Sequence, residues 1–539
     1  MRNRHISNNV RLVLDVLDYS DLITEDSFIL FLDFYKAFDT VEHQFLFHSL
    51  ERLGFGDFFC KAIKTLYANG NSSIKLKYGT SPRFELKRGI RQGCPISPYL
   101  FSLITQLLAN SLNNSPVQAG KEIIISQLAD DTTLFLKDAN QIPISINVIQ
   151  SFSKASGLYL NINKCELIVV KDCVTPSYYG IPVKEELTYL GITITKDQKS
   201  RGLQNFNPLI KKKQKKLNQW LQRDLSLKGR VLITKAEGIS RLTYGALSLY
   251  LDSKISKDID QMLFNFLWRN RTHYIRKTVV MNTHENGGLN FLDFTTLNNT
   301  FKINWIKQFL RRPTSIWNVI PHHVFSSFGG LNFMLFCNYN IDKVPVKLSA
   351  FHRQVFLSWS LIYKHNFSPH RYYIWNNRDI LYKNTSLFLE YWFRNNILLV
   401  SQLVNAEGLL LSYKELLSLY KVPVTPKDFA IVLDAIPSGV AMLFRNVSRP
   451  DPQSLPSIDP VDSSVGKICF SFDPFNNRAI RTLFQQDVVY LMSCLIGMDL
   501  LIISVGKKFG CCHTHTYLLT KLRKFPLKLF INIILPTTI

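Results

Sequence analysis

The stretch Ile123–Leu136, "IIISQLADDTTLFL", sets two apolar, strand-like runs against each other across adjacent aspartates, Asp130 and Asp131. Tight hairpin tips favour Asn-Gly or Asp-Gly, which tolerate a positive φ. Paired carboxylates instead repel each other, and crowding raises the pKa of one of them. A second apolar run, Phe28–Leu32, also ends in a carboxylate, Asp33. Carboxylates at the ends of neighbouring strands can converge on one point. Convergence is tolerable only when cations neutralise it, and hard oxygen ligands select Mg²⁺ or Mn²⁺. Two such ions can activate an attacking oxygen and stabilise a leaving one in phosphoryl transfer. Aspartate is also an ordinary turn residue. Convergence alone does not separate a polymerase from a nuclease or a transposase.

Outward from the hairpin, residues 28–200 alternate strand-like runs with helical ones. Asp39 reads as the N-cap of a helix carrying Phe45, Leu46, Leu50 and Leu53, with Glu42 at the reciprocal capping position and Gly54 as the stop. Ser97-Pro98, a cap followed by an N1 proline, opens a second helix through Leu103, Leu107 and Leu108. The mixed order predicts an α+β domain, with helices packed on one sheet. Further on, Asn207-Pro208 reads as the start of a helix, "LIKKKQKKLNQWLQ". Its apolar side is Leu209, Ile210, Leu217, Trp220 and Leu221, and Lys211, Lys212, Lys213, Lys215 and Lys216 crowd the rest. Residues 300–450 are helical by periodicity and rich in aromatic side chains. At that spacing they read as core in preference to a stacking platform for single-stranded RNA.

The chain has 539 residues, enough for several domains. Lys and Arg outnumber Asp and Glu by 64 to 40, a formal charge of +24, which points to a polyanionic partner. Nine scattered cysteines without framework spacing read as reduced thiols of an intracellular protein. The N-terminus has no apolar signal core. Val488–Val505 is apolar enough to raise a membrane span, but a buried helix or strand pair fits it as well. "GCCHTH" (510–515) packs its four possible ligands too tightly for one tetrahedral zinc site.

Five motifs occur in order: "FLDFYKAFDTV" (31–41), "RGIRQGCPISPYLF" (88–101), "LADD" (128–131), "ASGLYLNINK" (155–164) and "YLGITI" (189–194). Together they resemble the palm motifs of reverse transcriptases of LINE-type non-LTR retrotransposons, with Leu128 where the family keeps an aromatic residue. "RHISNNVRLVLDVLDYSD" (4–21) and "RNRTHYIRKTVVMNTHENGGLNFLDF" (269–294) also look like that family, and the resemblance runs from about residue 2 to 489. It implies an α+β right-hand polymerase palm, an antiparallel sheet with packed helices, over residues 22–200. A basic helical thumb over 201–295 and a mainly α C-terminal region over 296–447 would follow. Residues 1–21 would be a remnant of the fingers and pre-palm segment. Residues 448–464 would be a linker, and 465–539 a C-terminal segment.

The resemblance implies roles residue by residue. Asp33 and Asp130 would be the principal metal ligands with the backbone carbonyl of Phe34, and Asp131 the supporting carboxylate, around two Mg²⁺ ions (Mn²⁺ as the alternative). Phe34, Lys36, Ala37, Phe38, Arg91, Gln92 and Gly93 would form the nucleotide site. Phe38 stands where the family blocks a nucleotide 2′-OH, and Gln92 and Gly93 where it covers the nascent base pair. Arg91 and Lys164 would lie near phosphates, with Lys164 as proton donor to pyrophosphate. Tyr189, Leu190 and Gly191 would grip the primer end, and the five lysines of the thumb would meet template phosphates. Each has an ordinary alternative: Phe38 as core, the basic residues as solvated charge.

The implied activity is RNA-directed DNA polymerisation in retrotransposition, extending a DNA 3′-OH on an RNA template with dNTPs. A ribonucleoprotein with the element's own RNA, no membrane, and a location in nucleus and cytoplasm are implied with it. Family members carry an upstream endonuclease and fingers strands that are not read here, so a truncated copy is expected. The competing readings are a catalytically inactive nucleic-acid-binding remnant and, more remotely, a metal-dependent nuclease.

Overall fold

Phe28–Leu32 is an inner strand, β1, of a four-stranded antiparallel sheet in the computed structural model of the chain, and all five of its residues are buried. An unbroken apolar run suits a strand covered on both faces. The structure describes residues 5–22, 27–113, 124–171, 175–284, 287–447, 464–465, 468–470 and 476–484. They divide into two units, Met1–Asp197 and Gln198–Ile539, each taken by itself below.

The first unit opens with helix α1 (Ile6–Asp18), followed by β1. Helices α2 (Ala37–Thr40), α3 (His43–Arg52) and α4 (Asp57–Tyr67) come next. Four short strands follow, β2 (Asn71–Ser72), β3 (Lys75–Leu76), β4 (Gly79–Thr80) and β5 (Phe84–Glu85), then α5 (Ser97–Asn113). The quoted hairpin is β6 (Ile124–Leu128) and β7 (Asp131–Leu136). After α6 (Gln141–Ser156) come β8 (Glu166–Val169), β9 (Ser177–Tyr178), β10 (Ile181–Pro182), β11 (Glu186–Tyr189) and β12 (Ile192–Thr195). The main sheet runs β6-β7-β1-β8. Phe28, Leu30 and Leu32 share one face with Leu134, Leu136, Leu167 and Val169, and pack in one core with Phe101, Ile104 and Leu108 of α5 and Ile142, Ile149 and Phe152 of α6. Helices on a sheet were the sequence expectation. α1 packs against β6, where the Asn9 side-chain amide donates to the Gln127 carbonyl at 3.3 Å.

Ser97 opens α5 as expected, and Gly54, at φ +78°, follows the end of α3. The capping role read for Asp39 does not form. Asp39 lies inside α2, and Glu42 precedes α3 without a side-chain capping bond. The reason is a competing contact. The Ile90 N–H donates to the Phe38 carbonyl (2.6 Å) and the Gly89 N–H to the Val41 carbonyl (2.8 Å), which holds residues 38–42 against 88–90.

The second unit begins with α7 (Gln198–Leu221), nine residues ahead of the Asn207 start read from the sequence, and Pro208 falls inside the helix. Its buried positions are Arg201, Gly202, Phe206, Lys213 and Leu217. Phe206 nestles against Gly245, so packing upstream of the proline outweighs the missing N–H at an exposed position. α8 (Leu227–Ile233) continues into a π-helical turn, Thr234–Ile239, and then α9 (Leu242–Ser248) and α10 (Ser253–Leu267). The aromatic-rich stretch beyond is largely core, with Trp359, Trp375 and Trp392 almost fully buried. Among the described residues no helix is long and apolar enough to cross a membrane. Val488–Val505, "GCCHTH" and most of the expected linker lie outside the described residues.

One glycine locks the first unit together. Gly157 ends α6 at φ +76°, and a Cβ there would collide with the Thr40 carbonyl oxygen. Gly157→Ala therefore combines a strained φ with a backbone clash. We expect it to lower stability by roughly 2 kcal/mol or more, read as a lower denaturation midpoint.

Candidate active site

The register of β1 on β7 pairs Leu32 with Thr132. Beyond that last pair the next residues of the two strands are Asp33 and Asp131, close enough for the Asp33 charge to act on the Asp131 carboxyl. Alternation puts this pair on the face opposite Leu32 and Thr132. Asp130 sits beside them in the two-residue turn Ala129-Asp130, where Leu128 pairs with Asp131. Ala129 holds φ at +54°, a left-handed conformation that costs a non-glycine residue energy. This tip is a strained turn presenting carboxylates.

Beyond Leu32 the strand changes partner. Asn161 N–H donates to the Asp33 carbonyl (2.8 Å), and Tyr35 N–H to the Tyr159 carbonyl (2.9 Å). Because successive peptide groups of an extended strand point to opposite edges, the Phe34 carbonyl points away from 159–161, toward the Asp131 side. Lys164 closes a 3₁₀ turn, Ile162–Lys164, directly after Asn161, and its side chain is exposed.

Partial burial pushes the Asp131 carboxyl above its ordinary value, and the charges of Asp130 and then Asp33 push it further. The Cys165 thiol below is raised to about 11, chiefly by burial, so it adds no negative charge. Among the described residues no three His, Cys, Asp or Glu side chains form a ready-made metal cage. The donor set is still the right kind for a hard divalent cation: carboxylates in mutual repulsion beside a backbone carbonyl.

The residues expected at the nucleotide site lie in two joined segments, 34–38 and 91–93. The Phe38 ring stacks on the buried Phe101 (4.2 Å, 19°) and remains partly accessible. Ala37 is buried, and Lys36, exposed at φ +43°, begins the turn into α2. Gln92 Nε2 donates to Asp39 Oδ1 at 3.1 Å, which ties the 88–93 segment to α2 by a side chain as well as by backbone. Arg91 is exposed. Gly93 has φ +83° with open space around it, so conformation rather than room requires glycine in the chain alone. At Gly89, φ +94°, a Cβ would lie 2.8 Å from the Asp39 carbonyl; sequence reading missed this tight passage.

Two groups lie differently from the surface roles assigned to them. The Tyr189 ring is buried edge-on against Phe31 (5.1 Å), and of the turn that follows, Leu190 (φ +49°) is half-buried and Gly191 (φ +76°) exposed. The Tyr189 hydroxyl makes no good hydrogen bond, though Thr133, Ser126 and Asn9 surround it; burial chiefly raises its pKa, and Asp131 adds to that. In the second unit, Lys213 turns inward onto Glu237 (3.6 Å), and Lys216 also pairs with Glu237 (2.7 Å). Lys211, Lys212 and Lys215 stay on the exposed face.

Residues 3–194 match the family model "Reverse transcriptase (RNA-dependent DNA polymerase)". This segment is a reverse transcriptase domain. A Xenopus laevis protein, "Transposon TX1 uncharacterized 149 kDa protein", is 27% identical over 57% of this chain and 24% of its own length. The "Retrovirus-related Pol polyprotein from type-2 retrotransposable element R2DM" of Drosophila melanogaster is 28% identical over 35% of this chain and 20% of its own. The chain thus spans about a quarter or less of the length of these relatives. Among solved structures, apo telomerase from Candida tropicalis aligns over 58% of this chain and 56% of its own, with 13% identity and a TM-score of 0.30. The relatives are named as proteins of a transposon and of a retrotransposable element, and the reverse transcriptase domain carries the α+β sheet with packed helices read from the motifs.

The raised carboxyl at Asp131 makes a pH prediction. At low pH both folded and unfolded states keep its proton, and the group costs nothing. As pH rises through the carboxylate range, the folded state must ionise it against its partial burial and then the charges of Asp130 and Asp33, and stability falls. Asp131→Asn should therefore raise the melting temperature at pH 7, and the gain should shrink toward zero below about pH 4. Thermal melts across pH 3–8 check this.

Proposed function

We propose that the chain is an RNA-directed DNA polymerase that extends a DNA 3′-OH primer on an RNA template with dNTPs, in retrotransposition. One observation carries this reading: Asp33 and Asp131 follow the last pair of β1 and β7, with Asp130 in the adjoining turn, and the charges of Asp130 and Asp33 both act on Asp131, inside a domain of the reverse transcriptase family. Asp33, Asp130, Asp131 and the Phe34 carbonyl would hold two Mg²⁺ ions, or Mn²⁺. When bound, such ions lower the pKa of a primer hydroxyl and offset charge on departing pyrophosphate.

The protein's own residues supply position. The Phe38 ring, braced by Phe101, is the steric block to a ribose 2′-OH. Gln92 and Gly93 lie over the nascent base pair, held in place through Asp39 and Gly89. Arg91 and Lys164 face the triphosphate, and Lys164 delivers a proton to the leaving pyrophosphate. The Leu190-Gly191 turn contacts the primer end. Lys211, Lys212 and Lys215 meet template phosphates, while Lys213 braces the helix internally. The working form is a ribonucleoprotein with the element's RNA, acting in cytoplasm and nucleus.

Extension of a labelled primer on RNA, with Mg²⁺ and dNTPs, tests the reading. Asp130→Ala should lower the rate by about 10²–10³-fold, the scale of losing one electrostatic group of an active site. Binding of the primed template should be unchanged. Salt-sensitive binding without extension in the wild type would identify a binding remnant instead, and primer degradation a nuclease.

The thumb lysines give a separate measurement. Replacing Lys211, Lys212 and Lys215 by Gln should flatten the slope of log affinity against log salt by about two. Lys213→Gln should leave the slope nearly unchanged, because that side chain is buried and turned onto Glu237, away from the exposed face.

A further inference from the structure

Between α4 and α5 the chain throws out a hairpin that belongs to none of the five motifs. Lys75 pairs with Thr80, and Leu76 with Gly79, around a two-residue tip, Lys77-Tyr78. Nearer the root, Asn71 pairs with Glu85, and Ser72 with Phe84. Between these pairs the returning arm has one residue more than the outgoing arm. Pro82-Arg83 forms the resulting bulge, a position where a proline withdraws no ladder bond. Ser81 fastens the outer half, donating its N–H to the Ile74 carbonyl at 2.9 Å and accepting the Ile74 N–H on its hydroxyl at 2.8 Å.

Neither face of this hairpin is buried. Tyr78 is 85% exposed, Ile74 58%, Leu76 54% and Phe84 46%. A two-stranded hairpin without a covered face is marginal in water. Apolar side chains gathered on one are therefore not there for the core. Charge narrows the partner. From Gly70 to Arg91 there are six basic residues (Lys75, Lys77, Arg83, Lys87, Arg88 and Arg91) against a single acid, Glu85. The Lys77 ammonium lies over the Tyr78 ring at 5.1 Å, so the tip offers a cation and an aromatic face together. Phosphates and unpaired bases need that combination; a duplex hides its base faces and a protein partner does not call for the charge.

The root fixes where a bound strand would lead. The Leu86 N–H donates to the Gly70 carbonyl at 2.7 Å, and the arm then runs through Arg88, which bridges to Glu42, into Gly89 and Ile90 against Val41 and Phe38. The hairpin therefore rises from the rim that carries Arg91, Gln92 and Phe38.

We propose that residues 71–88 form a binding prong for single-stranded nucleic acid, taking phosphates on Lys75, Lys77 and Arg83 and a base on Tyr78. The proposal extends the polymerase reading but does not need catalysis, so it is tested without dNTPs or divalent cations. The probe is a fluorescein-labelled 20-nucleotide oligouridine, with a blunt 20-base-pair duplex as comparison, titrated against full chain at several salt concentrations. The triple substitution Lys75→Glu, Lys77→Glu and Arg83→Glu should weaken oligouridine binding at least about tenfold and flatten the salt slope by about two. Tyr78→Ala should weaken oligouridine binding about tenfold and leave duplex binding unchanged. A thiouridine-substituted strand should photo-crosslink to the 74–83 peptide of the unaltered protein, a readout that needs no variant. Unchanged affinity and slope in the triple variant, equal losses for strand and duplex in Tyr78→Ala, or crosslinks confined to other peptides would each overturn the proposal.

Discussion

Leu32 opposite Thr132 is the constraint on which the rest of the first unit depends. A strand that slips by one residue turns every side chain to the other face. In β1 and β7 such a slip would carry Asp33 or Asp131 into the apolar core and bring leucines out. The register therefore holds like charges together against their own repulsion. What holds it is the opposite face: each fully buried Phe or Leu contributes roughly 1.5–3 kcal/mol. Phe28, Leu30, Leu32, Leu134 and Leu136 lie there together. Water screens the carboxylates at the tip but does nothing to weaken that face, so the apolar term wins and the charges stay in place.

Two glycines transmit this order to the rim. Gly89 lets the 88–93 segment pass the Asp39 carbonyl, and Gly157 lets the end of α6 pass the Thr40 carbonyl. Residues 38–42 are thus held from two sides by chain that lies about fifty and about one hundred and twenty residues downstream. Phe38 and Gln92 inherit their positions from these passages. A local substitution at either glycine would move a rim that its own sequence neighbourhood does not define.

How much of this could be read beforehand follows from how local each cause is. The Asp-Asp hairpin, β1 and the Ser97-Pro98 helix start were legible because a few adjacent residues decide them. The start of α7 was not: Pro208 imitates an N1 proline, while the decisive residues, Gly202 and Phe206, matter through the Tyr250 carbonyl and Gly245 respectively. Asp39 likewise resembles a cap until the 88–90 segment claims its surroundings. Tyr189 had a usable signal that the motif obscured. In "ELTY" (186–189) polar and apolar residues alternate, and Leu187 and Tyr189 are the buried pair. Periodicity would have placed its ring inside, whatever the motif suggested for the turn beyond it.

The same distinction governs charge. A formal +24 suggests a surface uniformly attractive to polyanions, yet several cations are consumed internally. Arg11 is buried between Asp15 and Asp18 on its own helix. Arg230 donates to the Leu225 and Leu267 carbonyls. Lys302, fully buried, donates to the Ala246 and Leu249 carbonyls at the end of α9 (both 2.8 Å), with the Phe351 ring 4.5 Å from its ammonium. A buried cation is tolerable only when such partners replace its water, so these residues add to the net charge without adding to the field a nucleic acid meets. The outer face of α7 and the 71–88 hairpin differ in kind. Their cations are exposed and cluster, and where they cluster decides which part of a polyanion each unit can hold.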